Sequence, residues 1–117
     1  MEENTESLME LAYRYFIRKG FNVDFDIKVK NEDGKKQKVD MVLTDGAGEK
    51  IGVLIVNWSR SIGVNVIRKL NRIVQGANLK DGILIGKFFS EHSRRFAKDY
   101  NVQLLSRRRI YLNMNEL

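Results

Sequence analysis

The sequence predicts an α/β domain, a mixed β-sheet carrying helices on both faces. Three observations predict it. Residues 21–30 alternate apolar and polar side chains, as a half-buried strand does. Residues 51–58 are apolar on both faces, as expected in the middle of a covered sheet. The segment from there to the next apolar run at 82–86 is long enough for a helix and a right-handed parallel crossover. A chain of 117 residues has room for one core, so residues 1–117 read as a single domain.

The elements follow in order. Residues 5–19 form a helix that Asn4 or Thr5 can cap and Gly20 can close. Leu8, Leu11, Ala12 and Tyr15 make one apolar stripe, and Met9, Tyr13, Phe16 and Ile17 make another. Only Glu10, Arg14 and Arg18 are left for a polar face, so this helix is deeply packed or shared with a partner subunit. Phe21–Lys30 is the alternating strand, and Asn31-Glu32-Asp33-Gly34 is a hairpin turn. Lys38–Thr44 is a second strand, followed by an Asp-Gly turn at Asp45-Gly46-Ala47-Gly48. Ile51–Trp58 is the third, central strand.

A helix over 64–77 turns Ile67, Leu70, Val74 and Ala77 inward, and Gly82–Gly86 is a short buried strand. Ser90 caps a helix reaching to about Tyr100, and Val102–Leu105 is a further strand. The tail through Arg107 to Met114 fits either an edge strand or a helical turn. The order is αβββαβαβ.

Composition narrows the function. There are no cysteines, which removes disulfides, thiolate metal sites and thiol nucleophiles. No apolar run approaches the roughly 20 residues of a membrane span. The acidic start, Met1-Glu2-Glu3-Asn4, is unlike a signal peptide, so a cytoplasmic protein is expected. The net charge of +6 is uneven: residues 1–58 carry 9 Lys/Arg against 11 Asp/Glu, and residues 59–117 carry 12 against 4. A phosphate-facing surface needs that concentration, and a merely solvated face accounts for it equally well. Acidic proteins or anionic lipid suit the same charge.

Several local phrases share this order. They are Arg18-Lys19-Gly20-Phe21, Val39-Asp40-Met41-Val42, a third strand ending in Trp58, and Ile62-Gly63-Val64. Gly82-Ile83-Leu84-Ile85, Phe88-Phe89-Ser90, Arg95-Phe96-Ala97 and Asn101-Val102-Gln103-Leu104-Leu105 complete the set. Over residues 5–106 the chain resembles the restriction-endonuclease-like, PD-(D/E)XK nuclease fold, nearest to Mrr-type restriction enzymes and archaeal Holliday-junction resolvases. The resemblance implies an Asp on the second strand and a Glu or Gln on the third holding Mg²⁺, with a Lys two residues later acting on the attacking water. Asp40 matches the aspartate. Aligning Trp58 with the tryptophan that often follows the Mrr-type motif puts the other two positions on Leu54 and Val56. A shift of one residue puts them on Ile55 and Asn57. Either way the carboxylate and the lysine are missing.

No other residue is a firm catalytic or metal candidate. Glu10 lies near where such nucleases sometimes carry a helix-borne glutamate, but an ion pair with Arg14 four residues on accounts for it. Asp40 is a vestigial metal ligand or a polar strand residue pairing locally, and Asn57 is a local hydrogen-bonding residue or a substrate contact. His92 is the one histidine and has no cluster around it. The nucleic-acid candidates are Arg60 in the loop after the third strand, Arg68, Lys69 and Arg72 on the second helix, and Arg107, Arg108 and Arg109. Arg94, Arg95 and Lys98 read as a solvated face.

The expectation is a catalytically degenerate nuclease-fold protein that binds nucleic acid, DNA first, through its basic C-terminal half. It works as a homodimer or within a larger assembly, without a cofactor and without a membrane. One alternative is an active nuclease using Mg²⁺ at a relocated site of Glu10, Asp40 and Asn57. The other is a structural subunit that docks on a protein partner.

Overall fold

The computed structural model describes residues 7–114. The elements are α1 (Leu8–Arg18), β1 (Asn22–Lys30), β2 (Lys36–Thr44), β3 (Lys50–Val56), α2 (Val64–Gly76), β4 (Asp81–Gly86), α3 (Glu91–Ala97), β5 (Val102–Ser106) and α4 (Arg107–Met114). The five strands form one sheet in sequential order, with β3 at its centre. The first two pairings are antiparallel, and β3, β4 and β5 run parallel. This is the predicted mixed sheet.

Both ends of α1 are set by local chemistry. Asn4 and Thr5, the expected caps, lie outside the described residues, and the observed cap is Ser7. The Glu10 N–H donates to Ser7 Oγ at 3.1 Å, and the Ser7 N–H donates back to Glu10 Oε1 at 3.1 Å, a reciprocal capping box. Gly20, at φ 93°, closes the helix as expected: its N–H reaches the Ile17 carbonyl and the Phe21 N–H reaches that of Phe16.

Two cores sandwich the sheet. Leu8, Leu11, Ala12, Tyr15 and Phe16 of α1, with Ile110 of α4, bury Met41, Leu43, Ile51, Val53, Ile83 and Ile85. Ile67, Leu70, Ile73 and Val74 of α2, with Ala97 of α3, bury Val42, Leu54 and Leu84 from the other side. β3 is therefore covered on both faces, as its apolar run predicts. It is shorter than predicted at its C-terminal end: Val56 pairs with Gly86, β4 stops there, and Asn57 and Trp58 emerge exposed. Likewise α3 ends at Ala97 rather than near Tyr100. The tail resolves as helix α4, because Ile110 is fully buried against the α1 side of the sheet.

The long β1–β2 hairpin turns a corner halfway. Val23 on β1 and Met41 and Leu43 on β2 pack toward α1, but Ile27, Val29 and Val39 pack toward α2. Strict alternation would keep these odd-numbered residues on one face. The switch occurs at Asp26, which adopts φ 53° and drops out of the ladder opposite Asp40. Beyond it, the hairpin forms an arm lying against α2. There the Glu32 N–H donates to the Arg72 carbonyl at 3.0 Å and Arg72 pairs with Asp33 at 2.7 Å.

Candidate functional site

The same corner sets the environment of Asp40. The β2–β3 ladder runs from Thr44↔Lys50 to Met41↔Val53, and one further step of that register would set Asp40 opposite Leu54. This favours Leu54 and Val56, over Ile55 and Asn57, as the positions facing the second-strand aspartate. The strands part here, and the half-buried Asp40 carboxylate bridges the gap, accepting the Ile55 N–H at 2.7 Å. A backbone donor inside the sheet would otherwise lack a partner. Leu54 is buried and Val56 half-buried in the α2-side core, and among the described residues no three His, Asp or Glu side chains gather as a metal site would require. The residues present do not fit the Mg²⁺ that the resemblance implies.

Asp40→Ala is expected to lower stability by about 1.5–3 kcal/mol, since it strands the Ile55 N–H, and Asp40→Asn by less, since an acceptor remains. Urea unfolding of the two variants checks this order.

The other candidates separate clearly. Glu10 is engaged in the α1 capping box. Asn57 lies exposed beyond β3, and its amide makes no hydrogen bond to the described residues. His92 is exposed on α3, its ring 6.4 Å from that of Phe96. Asp45 forms its turn, accepting from the Ala47 and Glu49 N–H groups at 2.9 Å each.

Positive charge gathers where the parallel strands end. Open parallel sheets bind ligands outside the carboxyl ends of their strands, because the connecting loops and helix starts converge there. Here Ser59, Arg60 and Ser61 after β3, Lys87, Phe88 and Phe89 after β4, and Arg94 of α3 line a hollow of about 480 Å³. Lys87 and Phe88 also border a second hollow of about 540 Å³, shared with Arg107, Arg108 and Tyr111 of α4. Among the described residues no acidic side chain lines either one. Trp58, Phe88 and Tyr111 are exposed along this edge, and the Arg60 guanidinium lies 4.3 Å from the Trp58 ring centre.

The loops that form this edge are tied together. The Ile62 N–H donates to the Phe88 carbonyl at 2.9 Å, and the buried Ser93 hydroxyl donates to the Ile62 carbonyl at 2.9 Å. Gly86 permits the approach, since a Cβ there would overlap the buried Ile62 side chain. The three arginines occupy the first turn of α4, where the helix dipole disfavours cations and favours an anion.

Of the predicted basic residues, Arg60, Arg107 and Arg108 come together on this edge. Arg109 is exposed in the same helical turn but lines neither hollow. Arg68 stacks on Phe96 at 5.1 Å, Lys69 is exposed beside it, and Arg72 is held by Asp33. Lys87, Phe88, Tyr111 and Arg94 line these hollows without being among the predicted nucleic-acid candidates. A signal was available: Lys87 and Arg107 each immediately follow a strand, and Arg60 sits in the loop after another.

No curated protein matches the chain in sequence. The family model Mrr_cat, described as a restriction endonuclease, matches residues 2–112. Among solved structures the chain is similar to a crystal structure of a protein of unknown function, AF1548, at 14% identity and TM-score 0.74, covering 85% of this chain and 57% of that one. It is also similar to a repair endonuclease from Pyrococcus abyssi (19%, TM-score 0.62, covering 91% and 49%) and to EndoMS in apo form (17%, 0.58, covering 91% and 48%). The chain thus spans about half the length of these solved relatives, and the likeness is one of fold.

Proposed function

The chain belongs to the restriction endonuclease family, and on that premise we propose a catalytically degenerate nuclease-fold protein that binds nucleic acid, DNA first, through the basic edge at the ends of β3, β4 and β5. One juxtaposition carries this reading. Continuing the β2–β3 register past its last pair puts the buried Leu54 at the position facing Asp40, while Arg60, Lys87, Arg94, Arg107 and Arg108 gather where phosphates approach such a sheet. Arginine and lysine there supply affinity without sequence readout. The cysteine-free composition suits the cytoplasm. Exposed Tyr13 and Ile17 on α1 suit association with a second copy or a larger assembly, which sedimentation velocity tests.

A salt-titrated binding assay on a short duplex, with and without Mg²⁺ or Mn²⁺, tests the function. The wild type is expected to bind with strongly salt-dependent affinity and to leave the duplex intact. A Lys87→Gln/Arg107→Gln/Arg108→Gln protein should lose affinity uniformly across sequences, its salt slope shallower by about 2–3, near 0.9 for each phosphate contact removed. Metal-dependent cleavage that disappears in Asp40→Ala would overturn the degenerate reading in favour of a relocated active site. Absence of salt-dependent binding to any nucleic acid would remove the binding function.

A further inference from the structure

The arm of the β1–β2 hairpin carries a charge pattern that the half-chain balance conceals. Beyond the Asp26/Asp40 corner, Ile27, Val29 and Val39 turn in against the α2-side core. The outward positions between the corner and the turn are Lys28, Lys30, Lys36 and Lys38, all exposed. The register sets Lys28 opposite Lys38 and Lys30 opposite Lys36. Side chains directly opposite on one face of an antiparallel ladder start about 5 Å apart at Cβ, and like charges so placed destabilise the pairing. The outer face of the arm is therefore a two-by-two block of ammonium groups. Among the described residues, Asp26 pairs with Lys38 at 3.5 Å, Asp33 is held by Arg72, and Glu32 lies exposed at the turn.

Two explanations compete. Lysines on an exposed edge discourage pairing with another chain, and both strands of the arm are edges here, because β3 pairs with β2 only from Met41 onward. Edge protection needs an occasional charge. It does not need every outward position to be lysine, nor lysines set against each other across the ladder. A polyanion explains both features, because it turns the repulsive block into an attractive one. The arm is also seated firmly: the Asn31 carboxamide accepts the Asp33 and Lys35 N–H groups at 2.9 and 3.0 Å, and the Arg72 contacts fix the turn to α2. Binding then requires no ordering of the ribbon.

We propose that the outer face of this arm is a second phosphate-contacting surface, a fixed β-ribbon whose four lysines take the sugar–phosphate backbone of duplex DNA. The inference rests on the nucleic-acid reading above and extends it to a separate surface. Lysine acts on phosphate as a point charge, so the contact is independent of sequence and strongly dependent on salt.

The test uses the full chain and a labelled 30-base-pair duplex over a range of potassium chloride concentrations. A Lys28→Gln/Lys30→Gln/Lys36→Gln/Lys38→Gln protein should show a salt slope shallower by about 3–4. Its affinity should fall at least tenfold at low salt, equally for unrelated sequences, while its Tm stays level or rises as the repulsion is removed. Lys30→Gln/Lys36→Gln should show about half the change in slope, and the four corresponding Lys→Arg changes should preserve it. An unchanged slope in the glutamine proteins, with binding still lost in the Lys87/Arg107/Arg108 variant, overturns the arm and leaves the edge standing. Loss in the arm variant alone keeps the arm and removes the edge. A wild type that binds no duplex at any salt removes both.

Discussion

Gly76→Ala is expected to destabilise the protein by about 3 kcal/mol, although alanine is the better helix former. In an open helix the exchange gains up to about 1 kcal/mol. Here Gly76 ends α2 directly beneath the hairpin turn, and an added Cβ would overlap the Asn31 carbonyl group and the Glu32 nitrogen. These are backbone atoms, held in place by the Asn31 side-chain bonds and the Glu32–Arg72 bond, so no rotamer change relieves the overlap. Overpacking of this kind costs about 1–3 kcal/mol and sometimes more, which outweighs the gain in propensity. The relaxed structure lifts the arm, breaking the 2.7 Å Arg72–Asp33 pair. Gly46→Ala is the control, since nothing lies within 4 Å of its would-be Cβ, and it should change stability by less than about 0.5 kcal/mol. Urea unfolding of both proteins decides the matter, and a Gly76→Ala protein as stable as wild type would show that the turn does not seat on α2.

How much of this was legible in the sequence varies with the range of the interaction. Burial on both faces of β3 leaves a continuous apolar run, and alternation marks β1, so the class of the fold and the central strand could be read directly. The end of β3 could not. Asn57 and Trp58 continue a strand-like pattern, and only the exhaustion of β4 at Gly86 stops the ladder. The tail was ambiguous because Arg107–Arg109 carry no periodicity, and burial of Ile110 decides for helix. The position of Asp40 was legible, but its role was not, since its partner is a backbone N–H fifteen residues away across a fork between strands. The lysine block was written plainly, five lysines against two acids over residues 27–39, and was lost by averaging the charge over half the chain. Its cross-strand character needed the register.

Leu54→Glu, which puts a carboxylate at the third-strand position where the resemblance implies a metal ligand, is expected to weaken the fold severely and to recruit no metal. Leu54 is 7% exposed and belongs to the core that includes Val42, Ile67 and Leu84. Removing a buried leucine side chain costs about 2–5 kcal/mol, and burying a carboxyl group without a partner adds about 1–3 kcal/mol. The total of roughly 3–8 kcal/mol is a large part of the 5–15 kcal/mol that holds a typical domain folded. The defect should depend on pH with a definite sign. Burial disfavours the ionised carboxyl, so its folded pKa lies above the unfolded value near 4.3. The charge penalty is then absent below the unfolded pKa and grows as pH rises through the folded one, so the variant should sit nearer to wild type at about pH 5 than at pH 8. Leu54→Met, of similar volume and no charge, should cost less than about 1.5 kcal/mol at either pH. Magnesium separates a core position from a dormant active site. Two carboxylates facing one open cavity would bind the ion and raise Tm in proportion to its occupancy. With Asp40 bonded to the Ile55 N–H and the variant side chain confined beneath α2, millimolar Mg²⁺ should leave Tm unchanged. A Leu54→Glu protein that folds normally and is stabilised by Mg²⁺ would mean that this family member lacks one ligand and retains the rest of the site.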